Sequence, residues 1–589
     1  MKTILLALLV LVAAGVTAPA YVLQYNSHTN AEHWNFLAPG SSVPTNSLNR
    51  TTHAIRYYLA SDGYSAANKT AELNCIRDAL GQWQSIPNAV IKFEEAGLVN
   101  PPVDVNTSDN TNIIYWVKGT TLVNGGLSDI SGALGVTFVS FTTTSNEIRQ
   151  ADIVFNGDEY NGDECQWFTD FFDQNNPDFF VEGVALHELG HFLGLNHSPL
   201  GGATMFFGGA TGVNVQDGLS SDDIAGVRLL YGTNLANFGA IKGRVTQNGT
   251  PVIGAIVIVQ DSVSSNDFAG TLTWTNGNYM MNALPPGTYR LRVCPLDPSG
   301  TRRIDSLCTG PDISANYNNA FTAFLVTTNQ TVTVVANSTN TVNFGVISKS
   351  QPFRITNIRK PSDSSSFSWA ALPVVMTVGQ SNYNIGVASS NLPTSGATLT
   401  ITGDGLTLGA PAFNANLNGS GENFISVAIS IASNATPGLR TFVVQQGTNV
   451  ACANGFLKIR PAVWDNNFDG LDDVFQRTFF PVFTATNAAP SADPDGDRMN
   501  NLAEYIAGTN PTNVASVFKL LSPTNSHSGA AVRWLSVAGR NYQVFSRTNL
   551  VSGSWQSNGA AILATGTNAQ YLDPKGTNGI RFYRVQVLP

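Results

Sequence analysis

Apolar positions along this 589-residue chain change their spacing several times. Ile4 to Val16 is an almost unbroken apolar run. "AIRYYLA" at 54–60 then predicts a strand. In "AELNCIRDALGQWQSI" at 71–86, Leu73, Ile76, Leu80 and Trp83 recur at helical spacing, and Pro87 ends the run. "AVIKFEE" at 89–95, "NIIYWV" at 112–117, "GVTFVSF" at 135–141 and "ADIVFN" at 151–156 predict four more strands. "VEGVALHELGHFLG" at 181–194 predicts a helix with Val184, Leu186, Leu189, Phe192 and Leu193 apolar and Gly194 at its end. "LSSDDIAGVRLLYG" at 219–232 predicts another, with Ser220 as N-cap and Gly232 as C-cap. From 239 onward the pattern becomes short β-rich runs broken by N-G and P-P-G turns. The expected architecture is an α+β domain followed by all-β sandwich modules.

Length and composition set the frame. A chain of this length exceeds one hydrophobic core. Expected boundaries are a signal peptide at 1–20, a first domain at 21–236, β-sandwiches at 237–348 and 349–461, an acidic linker at 462–514 and a C-terminal sandwich at 515–589. Lys2, the apolar run and the small residues of "TAPA" read as an export signal cleaved after Ala18 or Ala20, which implies a secreted protein. No later stretch is long and apolar enough to span a bilayer. Only 12% of residues are charged, the net charge is −9 and no basic cluster appears, which argues against a nucleic-acid partner. Of the five cysteines, Cys75–Cys165 and Cys294–Cys308 are the expected bridges, although spacing alone leaves connectivity open.

Candidate chemistry is concentrated in one place. Of the seven histidines, His187, His191 and His197 fall within eleven residues, with Glu188 beside the first. Positions i and i+4 of a helix share a face, so His187 and His191 aim at one point. Gly194 permits the sharp turn that returns His197 to it. Three neutral imidazoles with a fourth position open to water make a catalytic zinc site. Glu188 is placed to act on the water as general base rather than as a ligand. His28, His33, His53 and His527 read as ordinary side chains.

This stretch matches H-E-x-x-H-x-x-G-x-x-H, with Met205 eight residues after His197. It resembles the metzincin signature and, through "HELGHFLGLNHS" and "ATMF", the matrixin metalloproteases. The resemblance implies a metzincin fold, a twisted mixed sheet with an active-site helix, and with it zinc on His187, His191 and His197, Glu188 as catalytic base and Met205 as a structural turn beneath the metal. It also implies peptide-bond hydrolysis in an extended polypeptide, with "ADIVFN" as the edge strand that holds the substrate. The chain departs from animal matrixins in two respects. It has no cysteine-switch segment between 21 and 52, and no H-G-D sequence for a second zinc. "NGDEYNGDE" at 156–164 reads as a solvated acidic loop.

Downstream, Tyr279, Leu284, Gly287 and Tyr289 carry a resemblance to the carboxypeptidase regulatory-like module, expected to be a spacer or stabiliser. Residues 351–460 read as an immunoglobulin-like sandwich. "DNNFDGLDDVFQ" and "DPDGDRMNNLAE" place oxygen ligands at calcium-loop spacing. The first set is Asp465, Asn467, Asp469, Asp473 and Gln476; the second is Asp493, Asp495, Asp497, Asn501 and Glu504. The second phrase resembles thrombospondin type 3 or dockerin-like calcium linkers. Trp534, Tyr542, Trp555 and Tyr583 are either a core or a platform for a glycan or surface partner. The competing functional reading is an adhesin or carbohydrate-binding surface protein with a vestigial metzincin domain. The intact Glu188 and histidines count against it.

Overall fold

The computed structural model describes residues 23–27, 30–174, 176–208, 211–212, 216–295, 323–350, 352–362, 369–370, 373–576 and 579–588. The described residues up to Ala462 form one compact unit and those from Val463 onward a second. The chain is mostly β, with few helices.

The first part of unit one is built on a six-stranded sheet. Its strands are β1 (Leu48–Asn49), β2 (Ala54–Ala60), β3 (Phe93–Val99), β4 (Ile113–Val117), β5 (Gly135–Phe141) and β6 (Ile148–Asn156). They run in the order β1-β2-β4-β6-β5, with β3 on β2. β2, β3, β4 and β6 pair in parallel, while β5 runs antiparallel to β6. The expected edge strand at 151–156 is therefore corrected. β6 lies between β4 and β5, which explains why its apolar run is buried on both faces, and β5 forms the edge. The third strand begins at Phe93 rather than Ala89. Val90 instead donates its N–H to the Tyr231 carbonyl, so this stretch docks on the closing helix before entering the sheet.

Three helices complete this part: α1 (Lys69–Gln84), α2 (Val181–Phe192) and α3 (Ser221–Tyr231). α1 fixes α2 through two buried contacts. Trp83 Nε1 donates to the Leu186 carbonyl at 3.0 Å, and Gln82 Nε2 donates to Glu182 at 2.6 Å. α3 begins in a capping box: Ser220 accepts from the Asp223 N–H while the Asp223 carboxylate accepts from the Ser220 N–H. On the other side of α2, Trp34 is 1% exposed and donates its indole N–H to the Phe192 carbonyl at 2.8 Å. Residues 30–49 are thus packed into this part of the fold.

The expected Cys75–Cys165 disulfide is not present, and the expected Cys294–Cys308 bridge involves a residue outside the described ones. Cys75 and Cys165 are both buried, and Cys75 Sγ approaches the Thr169 carbonyl at 3.8 Å. Cys294 packs beside Cys452, and Cys308 lies outside the described residues.

The two β modules of unit one share a sheet. The first contains β7 (Gly239–Gln247), β8 (Ile256–Asp261), β9 (Asp267–Leu272), β10 (Asn278–Leu284), β11 (Gly287–Cys294) and β12 (Thr327–Val334). The second contains β13 (Val374–Thr377), β14 (Tyr383–Ser389), β15 (Thr398–Ile401), β16 (Asn423–Ile431), β17 (Gly438–Gln446) and β18 (Asn449–Arg460). An eight-stranded sheet runs β12-β11-β8-β9-β17-β18-β13, with β15 on β17. Asp267 on β9 faces Leu439 on β17 at the junction. There the buried Arg292 Nη2 donates to Asp267 at 3.1 Å, Thr441 at 2.7 Å and Asn454 at 3.1 Å. A charge removed from water in this way is tolerable only because it is paired and hydrogen-bonded. A second sheet containing β14 and β16 closes the sandwich over Ile358, Val387, Val427 and Phe442.

Unit two opens with α4 (Asp473–Phe479) and α5 (Asn501–Ala507). Its strands are β19 (Leu520–Ser526), β20 (Gly529–Leu535), β21 (Asn541–Arg547), β22 (Gln556–Leu563), β23 (Asn568–Asp573) and β24 (Phe582–Leu588). They make two three-stranded sheets, β19-β20-β23 and β22-β21-β24. Trp534 and Tyr542 are core residues here, and Arg547 and Arg584 lie over the Trp555 ring. The four aromatics therefore do not form a shared exposed platform.

Trp34→Ala should destabilise unit one by about 3–5 kcal/mol, since it removes a buried ring and orphans a carbonyl at the end of α2. Denaturant unfolding followed by tryptophan fluorescence measures the loss.

Candidate metal centre

α2 carries His187 and His191 one turn apart, on a helix buried along nearly its whole length. The chain leaves the helix through Gly194 at φ +96°, where a Cβ would stand 2.3 Å from the Glu32 carbonyl oxygen. That left-handed turn brings His197 back over the helix. The ring centroids lie 4.9 Å apart for His187–His191, 5.2 Å for His187–His197 and 4.8 Å for His191–His197. One potential ligand nitrogen from each ring falls within 4.8 Å of the others. The Nε2 atoms of His191 and His197 are 3.2 Å apart.

The ring orientations follow from backbone carbonyls. His187 Nδ1 meets the Thr204 carbonyl at 2.8 Å, and His191 Nδ1 meets the Leu195 carbonyl at 2.9 Å. A carbonyl oxygen only accepts, so each Nδ1 carries the proton and each Nε2 presents a lone pair to the shared point. Burial pushes both imidazoles down to about 3, each with a further push from a neighbouring histidine. They are therefore neutral at ordinary pH, as a divalent metal requires of its ligands. Three imidazoles converging on one point, with His187 and His191 neutral, fit zinc.

Glu188 is buried, and burial pushes its carboxyl up to about 7 against the opposing effect of a Thr137 hydrogen bond. Thr137, on edge strand β5, donates to Glu188 Oε2 at 2.7 Å. Met205 packs beneath α2 where Gly190 has no side chain; a Cβ there would lie 2.1 Å from Met205 Sδ. The methionine turn is held by α3. Asp223 accepts from the N–H groups of Thr204 at 2.9 Å and Met205 at 3.0 Å. Ser198 donates to Asp222 at 2.6 Å. The sequence reading missed Thr137, Thr204, Asp222 and Asp223. "SSDD" was legible as a helix start, but not as an anchor for a turn some twenty residues upstream.

The two acidic loops differ. In the second, Asp493, Asp495 and Asp497 cluster, and Asn501 and Glu504 close in from α5, fully buried. Asp495 Oδ2, Asp497 Oδ2, Asn501 Oδ1 and both Glu504 oxygens are buried with no hydrogen-bond partner. Burial and the neighbouring Asp495 and Asp497 push Glu504 up to about 7. The first loop satisfies itself to a greater degree. Asn467 Nδ2 and Gln476 Nε2 donate to Asp469 at 3.0 and 2.8 Å, and the Asp465 carboxylate accepts from the N–H groups of Asp469 and Gly470. Asp473 is buried and accepts from the Asn466 N–H. Of the 156–164 stretch expected as a solvated loop, residues 161–164 are exposed, whereas Asn156 is buried and donates to the Ile130 and Ala133 carbonyls.

Residues 49–232 match the family model "Matrixin", and residues 240–305 match "Carboxypeptidase regulatory-like domain". A 54-residue stretch is 44% identical to Metalloendoproteinase 2-MMP of Arabidopsis thaliana, covering 9% of this chain and 14% of that protein. A 161-residue stretch is 27% identical to Metalloendoproteinase 4-MMP of the same plant, covering 27% and 39%. The chain thus spans well under half the length of these curated relatives. Among solved structures, the minor pilin GBS52 of Streptococcus agalactiae is similar at 15% identity and a TM-score of 0.12, over 20% of this chain and 47% of that one. BcpA, the major pilin subunit of Bacillus cereus, is similar at 12% identity and a TM-score of 0.14, over 38% and 70%. Such scores carry no argument about fold or role. No helix among the described residues is long and apolar enough to cross a membrane. Residues 49–232 are thus similar to a matrixin domain and residues 240–305 to a carboxypeptidase regulatory-like domain, with further β modules after them.

Proposed function

We propose that the protein is a secreted, zinc-dependent endopeptidase that hydrolyses peptide bonds of extracellular proteins. The observation that supports it is the convergence of three imidazoles, with the Nδ1 protons of His187 and His191 held by carbonyls and Glu188 buried beside them. His187, His191 and His197 would hold the metal. When bound, zinc acts as a Lewis acid on the scissile carbonyl and lowers the pKa of water at its open position toward ~7. Glu188 takes the proton released as water adds to the carbonyl carbon, and returns it to the amine as the C–N bond breaks. Thr137 holds the Glu188 carboxylate in place from β5. The open edge of β5 offers main-chain groups to an extended substrate, so polypeptide recognition is by strand addition.

The second acidic loop supports a further part of the reading: a structural calcium held by Asp493, Asp495, Asp497, Asn501 and Glu504. Five buried acceptor oxygens without donors call for a cation. Asp465, Asn467, Asp469 and Asp473 form the weaker candidate, because amide donors already occupy part of that set.

Glu188→Ala should lower kcat/KM on casein by roughly 100-fold or more while zinc stoichiometry stays at one, and a chelator should abolish cleavage by the unmodified protein. Cleavage surviving both treatments would overturn the mechanism, and saturable glycan binding without proteolysis would favour the adhesin reading. Calcium should raise the melting temperature of unit two, and Glu504→Gln should remove most of that rise. Calorimetry of the full chain with and without calcium measures both effects.

A further inference from the structure

Neither family match extends to residues 352–460, yet this sandwich reaches the metal centre. Phe207 lies 6.2 Å from the His197 ring, centroid to centroid. Phe206 packs at a tilt on Phe207, with centroids 4.6 Å apart, and edge-to-face on Phe456 of β18 at 5.3 Å. Phe206 belongs to the apolar core of the sandwich, and Phe207 packs against that core. A line of aromatic rings therefore runs from a metal ligand into another module.

A polar route runs beside it. Lys458, two residues beyond Phe456 on β18, contacts the Asp217 carboxylate at 2.8 Å and donates to the Gly218 carbonyl at 3.0 Å. Arg460 reaches the other Asp217 oxygen at 2.8 Å. All three side chains are at most 13% exposed, so the ion pairs are shielded from solvent. The Gly218 carbonyl also accepts from Thr204 Oγ1 at 3.0 Å, and the Thr204 carbonyl is the one that orients His187. Two independent chains of contact thus join β18 to two of the three histidines.

We propose that the 352–460 sandwich is a working part of the peptidase site. Phe456, Lys458 and Arg460 act as positioning residues that set Phe207 and Thr204. Phe207 is the specificity-determining wall, favouring substrates with an apolar side chain next to the scissile bond. This rests on the endopeptidase reading. It departs from the expectation that the β modules are spacers, because a spacer does not complete the packing around a metal ligand.

The test uses the full chain and a peptide library read by mass spectrometry. Phe456→Ala should raise KM for substrates with an apolar residue beside the scissile bond by roughly 10-fold relative to polar ones, with zinc content unchanged and kcat less affected. Lys458→Met should shift the profile the same way, and Lys458→Arg should restore it. Should Phe456→Ala fail to fold, the Lys458 pair carries the same comparison. A profile identical to the unmodified protein in folded, zinc-loaded variants overturns the proposal while leaving the endopeptidase reading intact. Absence of Glu188-dependent cleavage in the unmodified protein overturns both.

Discussion

Two hydrogen bonds underlie the metal centre: His187 to the Thr204 carbonyl and His191 to the Leu195 carbonyl. A free imidazole can place its proton on either nitrogen and rotate about two torsions. A fixed carbonyl at 2.8–2.9 Å removes both freedoms, because only one tautomer satisfies it. Burial then keeps the rings neutral. The ligand set is prepared before any ion arrives, and the binding energy is not drawn down by ordering the site.

Those carbonyls are themselves placed by distant parts of the chain. Leu195 sits just beyond the left-handed turn at Gly194, which has room only because Glu32 passes over an absent side chain. Thr204 is held on one side by the start of α3, through Asp223, and on the other by Gly218, which Lys458 also grips. The helix beneath is gripped by Trp83 from α1 and by Trp34 from the N-terminal stretch. Histidine geometry is therefore a property of unit one as a whole rather than of α2.

The parts legible in the sequence were those with short-range signatures. Helical spacing announced α1, α2 and α3, and the i, i+4 rule with a glycine turn announced how three histidines meet. Parallel or antiparallel order was not legible, since an apolar run such as Ile153–Phe155 reads alike at an edge or in the interior. Thr137 was hidden because its pairing with Glu188 spans 51 residues and a threonine in a strand is ordinary. The packing of Cys294 beside Cys452 of β18 was hidden for the same reason, since 158 residues separate them. The acidic loops lay between these cases. Spacing suggested both alike, and only the census of unpartnered oxygens separated the second from the first.

The Lys458–Gly218 contact closes a loop of 240 residues. A chain synthesised from its N-terminus presents HELGH long before β18 exists. The last brace of the turn that carries Thr204 therefore arrives only when the second sandwich has been made and has folded against the first. The contacts that fix Thr204, and through it the His187 ring, are thus complete only once the chain has been made through β18.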